Sequence, residues 1–335
     1  MYARFSRQIP SVSSFFMLLM VASAPSISTA QPADAVIKFP DRALRFIVPF
    51  PPGAANDTLA RAVGQQLAAS LRQSIVIDNR AGAGGIVGTA VAAQSAADGY
   101  TIVLVPATHA INATLNAKLP YNTIDDFSPV ALVATGAYLL VVTPTFPPKT
   151  VGDLIALAKA RPGQINYGSA GIGNATHLIA ELMKSMANIN LTHVPYKGGT
   201  PALVDVMSGR VQMYFGTISA TKSLVQTGKV RALAVSSSKR SSAMPKVPTL
   251  SEAGITGFAA TGWWGILSPA KVPVGIVRKL NKDIDSIVRK PEMQEWLTAQ
   301  GFEPGGGSSE EFSQFIKDEI AKWGEIVRIS GAQNY

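Results

Sequence analysis

The chain has 335 residues, of which 47% are hydrophobic, and this size suits two globular domains with cores of their own. It contains no cysteine, which excludes disulfides as a source of stability. The formal net charge of +9 suits anionic ligands, but the basic residues are dispersed and are not interleaved with aromatic residues, so we predict no nucleic-acid partner. A solvated basic surface explains the charge as well as an electrostatic funnel does.

The first thirty residues have the order of a secretory signal. Arg4 and Arg7 precede an apolar stretch over 15–24, and small residues follow up to Ala30. The apolar stretch is too short to cross a bilayer, and glycine, proline or charge interrupts every later apolar run. We therefore predict a signal peptide over residues 1–30, cleaved near Ala30, and a soluble periplasmic product.

The stretch RFIVPFPPGAAND, residues 45–57, predicts the end of a buried strand, a forced turn and the start of a helix. Two prolines end the strand, Gly53 permits the turn, and Asn56 or Asp57 can cap a helix over 58–71. A helix start of this kind leaves unpaired amide groups, which favour an anion. We therefore treat this first loop as a candidate anion site.

Further strands are predicted over 74–80 and 101–107, and the earlier of them runs into a glycine-rich turn and a helix of small residues. Strand, glycine turn and helix in repetition predict a parallel α/β sheet with ligands at the carboxyl ends of its strands. Residues 115–128 are predicted to form loops. Extended runs over 129–134 and 138–144 then predict a crossover into a second unit.

The same order of elements restarts after residue 150. Helices are predicted over 151–160, 174–186 and 201–208, and strands over 165–171, 192–196, 211–217 and 230–237. A return strand is predicted over 263–269, followed by helices near 273–289, 291–299 and 309–330 that pack back onto the first unit. The economical interpretation is a second α/β domain.

Two α/β domains, joined where the chain crosses twice between them, resemble the clamshell of type II-like periplasmic binding proteins. Such a clamshell closes around a ligand by hinge motion. The predicted domain 1 comprises 31–135 and 263–335, and domain 2 comprises 136–262. The ligand is expected in the interdomain cleft.

The segment YGSAGIGNATHLIAELM, residues 167–183, repeats in the second domain the design of the first loop. A strand is followed by a glycine-rich turn, and Asn174 can cap the helix that comes next. Backbone amides and the Ser169 hydroxyl are therefore candidates for a second anion contact. Two such loops on opposite domains would face each other across the cleft.

Several motifs occur in the order found in the Bug family, the solute receptors of tripartite tricarboxylate transporters. They include PFPPGAANDTLAR, NRAGAGGIVGTAVAA, DGYTIVL, LPYNTIDDFSPVALVA, YGSAGIGNATHL and HVPYKGGTPALVDVMSGRVQMYF. The chain resembles this family over nearly all of its predicted mature length. The resemblance implies a receptor that binds small carboxylates, largely through backbone amides and ordered water, and that docks on a membrane permease.

In that family, the loops that match residues 51–57 and 169–177 grip the ligand. The predicted ligand-binding residues are Pro52, Gly53, Ala54, Ala55, Asn56, Asp57, Thr108, Ser169, Ala170, Gly171, Gly173, Thr176, His177, Tyr196, Lys197 and Thr217. Ala54 departs from the family, which usually has glycine there. If that position needs positive φ, alanine costs about 1 kcal/mol or reshapes the loop. We predict a monomer with no catalytic residue, no metal and no cofactor.

Alternative interpretations of single motifs are weaker. The GxGxxxG spacing of Gly82, Gly84 and Gly88 is similar to a dinucleotide loop, but no acidic ribose partner stands about 20 residues further on. Tight helix packing or an edge of the carboxylate cleft explains the glycines better. His177 and Glu181 lie one helical turn apart, but three histidines and no HExxH motif favour a helix-start histidine beside a polar cleft over a metal site.

Two other functions remain open from the sequence. An exported hydrolase would use Ser169, although the residue lacks a GxSxG elbow. A sensory receptor would bind the same ligand and signal to a membrane kinase. Among side chains, Lys197 could attract anions or be solvated, and Trp263 and Trp264 could stack on a ligand, with a core role for at least one of them.

Overall fold

A computed structural model describes residues 39–116 and 118–330 of the chain. The predicted signal peptide and its cleavage after Ala30 lie outside the described residues. Within them, no helix is long and apolar enough to cross a membrane. The described residues belong to one compact unit by their contacts, so the division into two domains remains a prediction.

Helices and strands alternate along most of the chain. The helices are α1 (Ala55–Leu71), α2 (Ile86–Ala93), α3 (Thr108–Leu115), α4 (Val151–Ala160), α5 (Ala175–Ala187), α6 (Gly199–Ser208), α7 (Ile218–Gln226), α8 (Val274–Val288), α9 (Pro291–Ala299) and α10 (Ser309–Ser330). The strands are β1 (Leu44–Val48), β2 (Ile75–Asn79), β3 (Thr101–Pro106), β4 (Phe127–Val142), β5 (Asn166–Ser169), β6 (Thr192–Pro195), β7 (Met213–Thr217), β8 (Arg231–Val235), β9 (Thr261–Pro269) and β10 (Phe302–Pro304).

These strands form one mixed sheet in the order β2-β1-β3-β9-β4-β7-β5-β6, and β8 and β10 also pair with β4. The strands predicted to be parallel are so: β1 pairs with β2 and β3, and β5 with β6 and β7. Between these two parallel groups, β9 and β4 run antiparallel to their neighbours, so the sheet is mixed. The parallel groups nonetheless place their carboxyl ends around one cavity.

Strand β4 is continuous, although two separate extended runs around Gly136 were predicted. Gly136 pairs with Gly262 in β9, and a Cβ at Gly136 would lie 3.3 Å from Phe302 and Trp264. The glycine therefore admits close packing inside the strand and does not break it. Beyond Ala137 the strand exchanges β9 for β7 and β8, so the predicted boundary at 135/136 lies within one strand.

Two helices were missed by the sequence analysis, α3 and α7. The sequence of α3, THAINATL, contains three β-branched residues and one asparagine, which have low helix propensity. Ala110 and Ile111 are fully buried in the core, so tertiary packing outweighs the local preference. Both helices matter for function because both begin at the cavity.

The last helix, α10, packs against α3 and β4 and also against α5. Phe312, Ile316 and Trp323 join a core that includes Leu178 and Ile179 of α5. The C-terminal helix therefore packs against elements of both predicted domains, and not against the first alone.

Candidate functional site

A cavity of about 450 Å³ lies where β1, β3, β6 and β7 end. The helices that follow these strands, α1, α3, α6 and α7, begin at its wall. None of the four has a side chain capping its first turn. Their first amide groups therefore have no intrahelical acceptor and remain available to a ligand.

Ten of the predicted ligand-binding residues line this cavity. They are Pro52, Gly53, Ala54, Ala55, Asn56, Thr108, Ala170, Thr176, Lys197 and Thr217. The other six, Asp57, Ser169, Gly171, Gly173, His177 and Tyr196, are not part of its lining. The structure thus brings both predicted loops to one cavity, but only some residues of each.

Helix α1 begins differently from the prediction. Its N-cap is Ala54, and the predicted capping by Asn56 or Asp57 is wrong. The φ of Ala54 is −78°, so this residue needs no left-handed conformation and the expected cost of alanine does not arise. Gly53, with φ of 77°, supplies the left-handed residue of the turn.

Asp57 holds the first loop from behind. Its Oδ2 accepts from the Gly53 amide at 3.0 Å and from Arg61 Nε at 2.9 Å, and its Oδ1 accepts from Asn79 Nδ2 at 3.0 Å. Burial opposes ionisation, but these hydrogen bonds outweigh it and hold the pKa of the Asp57 carboxyl below its ordinary value. Asp57 therefore positions the loop as a carboxylate.

Asn56 is fixed so that it can donate into the cavity. Its Oδ1 accepts from the indole Nε1 of Trp264 at 2.6 Å. Because an indole nitrogen can only donate, this bond settles which end of the amide is oxygen. The Asn56 amide nitrogen has no partner among the described residues, and both residues line the cavity. Trp264 thus packs in the core and orients a cavity residue.

The second loop is held by bonds of its own. Asn174 caps α5 as predicted, accepting from the Thr176 amide at 3.1 Å. Thr176 Oγ1 accepts from the Ala170 amide at 2.8 Å, so this amide already has a partner. The Tyr196 hydroxyl turns away to donate to Asp205 at 2.7 Å.

Behind the second loop lies a buried polar cluster of Tyr167, Ser169, His177, Glu181 and His193. The two imidazole rings stack with centroids 4.0 Å apart, and the Tyr167 ring stacks on that of His193. Tyr167 donates to Glu181, which also accepts from Lys184 at 2.7 Å. The cluster fills the space between β5, β6 and α5.

Both histidines of this cluster are neutral at pH 7. Burial lowers the pKa of His177 to about 4, and Lys184 adds to the shift. Burial, followed by the neighbouring His177, lowers the pKa of His193 to about 4. His177 Nδ1 accepts from the Gly173 amide at 3.2 Å, which requires an unprotonated Nδ1. The neutral ring therefore supports the second loop.

The Ser169 hydroxyl lies 2.6 Å from His193 Nε2, a contact that a hydrolase would need. Ser169 is fully buried, however, and its Oγ also accepts from the Gly171 amide at 3.2 Å. It does not reach the cavity. The pair is placed to brace the loop, not to attack a substrate.

Two other features have structural roles. A Cβ on Gly88 would lie 2.6 Å from the Arg80 carbonyl oxygen and 2.8 Å from Pro49 Cα, which fits the packing interpretation of the glycine-rich segment. That segment does not line the cavity. Among the described residues, no group of three or more potential metal-ligating side chains is present.

Sequence reasoning missed several lining residues. They include Phe50, Tyr138, Pro201, Leu203, Tyr214, Ser219, Ala220 and Gln300. Ser219 and Ala220 follow from the start of α7, a helix that was not predicted. Tyr138 and Gln300 carry no local motif, because a strand crossing and a helix end bring them to the cavity.

Comparison with known proteins identifies the family. A model described as the tripartite tricarboxylate transporter family receptor matches residues 59–331. The chain belongs to this family. Its members are solute receptors and not enzymes, which confirms the resemblance to the Bug family and argues against the hydrolase.

Solved structures of the receptor family share the fold. Rpa4515 of R. palustris, solved with adipate, is 35% identical with a TM-score of 0.85, over 88% of this chain and 99% of that one. The periplasmic binding protein BugD is 29% identical with a TM-score of 0.83, over 89% and 100%. MatC of Rhodopseudomonas palustris, solved with bound malate, is 31% identical with a TM-score of 0.81, over 86% and 100%. The expected periplasmic-binding-protein fold is thereby confirmed.

Proposed function

We propose that this receptor captures a small carboxylate in the periplasm and delivers it to the membrane permease of a tripartite tricarboxylate-type transporter. The observation that carries the proposal is the convergence of four uncapped helix starts on one cavity. Helix N-termini attract negative charge through their free amides and their dipoles. A cavity built in this way suits an anion.

The charges at the cavity support the same ligand. Lys197 is the one charged side chain among the described lining residues, and it is exposed. A cavity with amide donors, a cation and no carboxylate of its own favours an anionic solute over a neutral or cationic one. The adipate and malate in the structures of Rpa4515 and MatC agree with a carboxylate.

Capture would use backbone groups first. A ligand carboxylate accepts hydrogen bonds from the first backbone amides of α1 and from the side-chain amide of Asn56. Lys197 and the start of α6 supply a second set of contacts. The two predicted domains, 31–135 with 263–335 and 136–262, then close around the ligand, and the closed monomer docks on the permease. Strands β4 and β9 connect the two domains in this mechanism.

A thermal-shift screen of the chain from residue 31 tests the ligand class. The probes are adipate, malate, succinate, citrate and benzoate, with glucose and putrescine as neutral and cationic controls. A carboxylate at a thousand times its Kd adds about 4 kcal/mol to the free energy of unfolding, which raises the Tm. No rise in Tm with any of the five carboxylates would overturn the proposal, whether or not glucose or putrescine raises the Tm.

The transport role needs a separate experiment. Uptake of the radiolabelled carboxylate should be lost when the gene for this chain is deleted and return with the intact gene. Unchanged uptake in the deletion strain would leave capture in place but contradict the transport role.

A further inference from the structure

Tyr138 stands where β4 exchanges one partner strand for another. Ala137 is the last residue that pairs with β9, and Tyr138 pairs with Thr217 of β7. Its backbone is fixed on one side, because its amide donates to Ser236 Oγ at 2.9 Å and its carbonyl oxygen accepts from the Ser236 amide at 2.8 Å. The side chain therefore projects from a rigid position.

The ring of Tyr138 is buried, with 5% of the residue exposed, and the residue lines the cavity. A Cβ on Gly262 would lie 2.9 Å from the Tyr138 hydroxyl oxygen, so the glycine leaves room for it. No described residue forms a hydrogen bond with this hydroxyl. This hydroxyl oxygen is not one of the fully enclosed unpaired polar atoms of the described residues, so it is accessible from the cavity and can meet a ligand there.

Three other described tyrosines satisfy their hydroxyls within the protein, in the pairs Tyr100–Asp41, Tyr167–Glu181 and Tyr196–Asp205. Tyr138 has no such acceptor among the described residues. Within that part of the chain the Tyr121 hydroxyl also lacks a partner, but Tyr121 lies outside the cavity lining. Because Tyr138 lines the cavity, a ligand can supply the acceptor for its hydroxyl.

We propose that the Tyr138 hydroxyl is a ligand-binding donor, which hydrogen-bonds an oxygen of the captured carboxylate at the strand crossing. This inference rests on the proposed function. Burial raises the pKa of Tyr138, so the hydroxyl keeps its proton and can donate a hydrogen bond. Such a bond is stronger when the acceptor is an anion. Tyr138 lies on β4, apart from the loops that supply the amide donors, and so adds a side-chain contact to those proposed for Asn56 and Lys197.

Tyr138→Phe tests the inference because it removes the hydroxyl and keeps the ring. Isothermal titration with adipate, or with the tightest binder of malate, succinate, citrate and benzoate if adipate does not bind, should give a Kd raised about 10- to 100-fold. The Tm of the unliganded protein should stay nearly the same, since the hydroxyl has no hydrogen-bond partner among the described residues to lose. Tyr121→Phe is the control, because Tyr121 is buried and lies outside the cavity lining.

A Kd within twofold of the wild-type value would overturn the inference. A second result would also overturn it. If unliganded Tyr138→Phe has a lower Tm, and the lost free energy of unfolding accounts for the whole loss of ligand affinity, the hydroxyl has a structural role. If the wild-type protein binds none of the five carboxylates, the proposed function fails and this inference fails with it. Wild-type binding together with an unaffected variant separates the two outcomes.

Discussion

At the scale of single residues, the contact between Asn56 and Trp264 sets the polarity of the site. The indole Nε1 of Trp264 donates to Asn56 Oδ1 at 2.6 Å, and this bond leaves the side-chain amide nitrogen of Asn56 as a donor at the cavity. Asn56→Asp keeps the oxygen that Trp264 needs and replaces the donor with a negative charge. We expect the Kd for the carboxylate identified in the thermal-shift screen to rise about 100-fold, because like charges brought together in a site cost several kcal/mol.

The control for Asn56→Asp is Asn190→Asp, which makes the same charge change at an exposed position. Titration calorimetry of both variants separates the local effect from the change in net charge. Equal affinities in the two variants would contradict a donor role for Asn56.

Single residues also mark the limit of prediction from the sequence. Gly53 and Asn174 act as their types suggest, because turn and cap preferences are local. The roles of Asn56, Ser169 and His177 depend on Trp264 and His193, which are distant in sequence. A motif identifies the loop but not which of its side chains face inward.

At the scale of elements, α5 and the second loop are linked through the stacked histidines. Each histidine has a pKa of about 4 in the fold and about 6.5 when unfolded, so the unfolded chain binds more protons between these values. Stability contributed by the neutral rings is therefore present above pH 6.5 and is lost as the pH falls towards 4. The loss is roughly 2 kcal/mol per histidine at pH 4.5.

His177→Asn should reduce this pH dependence. The Oδ1 of asparagine takes the place of the histidine Nδ1 and can still accept from the Gly173 amide, but the side chain does not titrate. Urea unfolding at pH 7 and at pH 4.5 gives the fall in the free energy of unfolding between the two pH values. This fall should be smaller in the variant than in the wild-type protein by roughly 2 kcal/mol. An equal fall in both proteins would show that His177 is not buried as a neutral ring.

The bounds of some elements follow from the sequence alone. Helix α4 matches its prediction because Thr150 and Asp153 form a capping box, and α9 does so because Pro291 suits the first helical position. The direction of β4 and β9 could not be predicted, since strand pairing is decided by contacts between distant segments. The helices α3 and α7 were missed for the same reason.

At the scale of the whole molecule, a contact beside the cavity joins elements from the two predicted domains. Gly301 follows α9 with φ of 80°, and a Cβ there would lie 2.4 Å from Cβ and Cγ2 of Ile218 at the start of α7. Lys222 Nζ also donates to the Ala299 carbonyl oxygen at 3.3 Å. Gln300, between these contacts, lines the cavity, so the packing here and the shape of the site are linked.

Gly301→Ala should therefore destabilise the protein in two ways. The left-handed conformation costs alanine about 1 kcal/mol, and the overlap with Ile218 adds roughly 1 to 3 kcal/mol. Gly228→Ala isolates the first of these, because Gly228 has φ of 69° and nothing within 4 Å of the added Cβ. Urea unfolding of both variants should give a larger loss of stability at Gly301, and only Gly301→Ala should weaken binding of the carboxylate identified in the thermal-shift screen. Equal losses of stability would mean that α7 can move away from Gly301 at no cost, and then this contact does not hold the two predicted domains together.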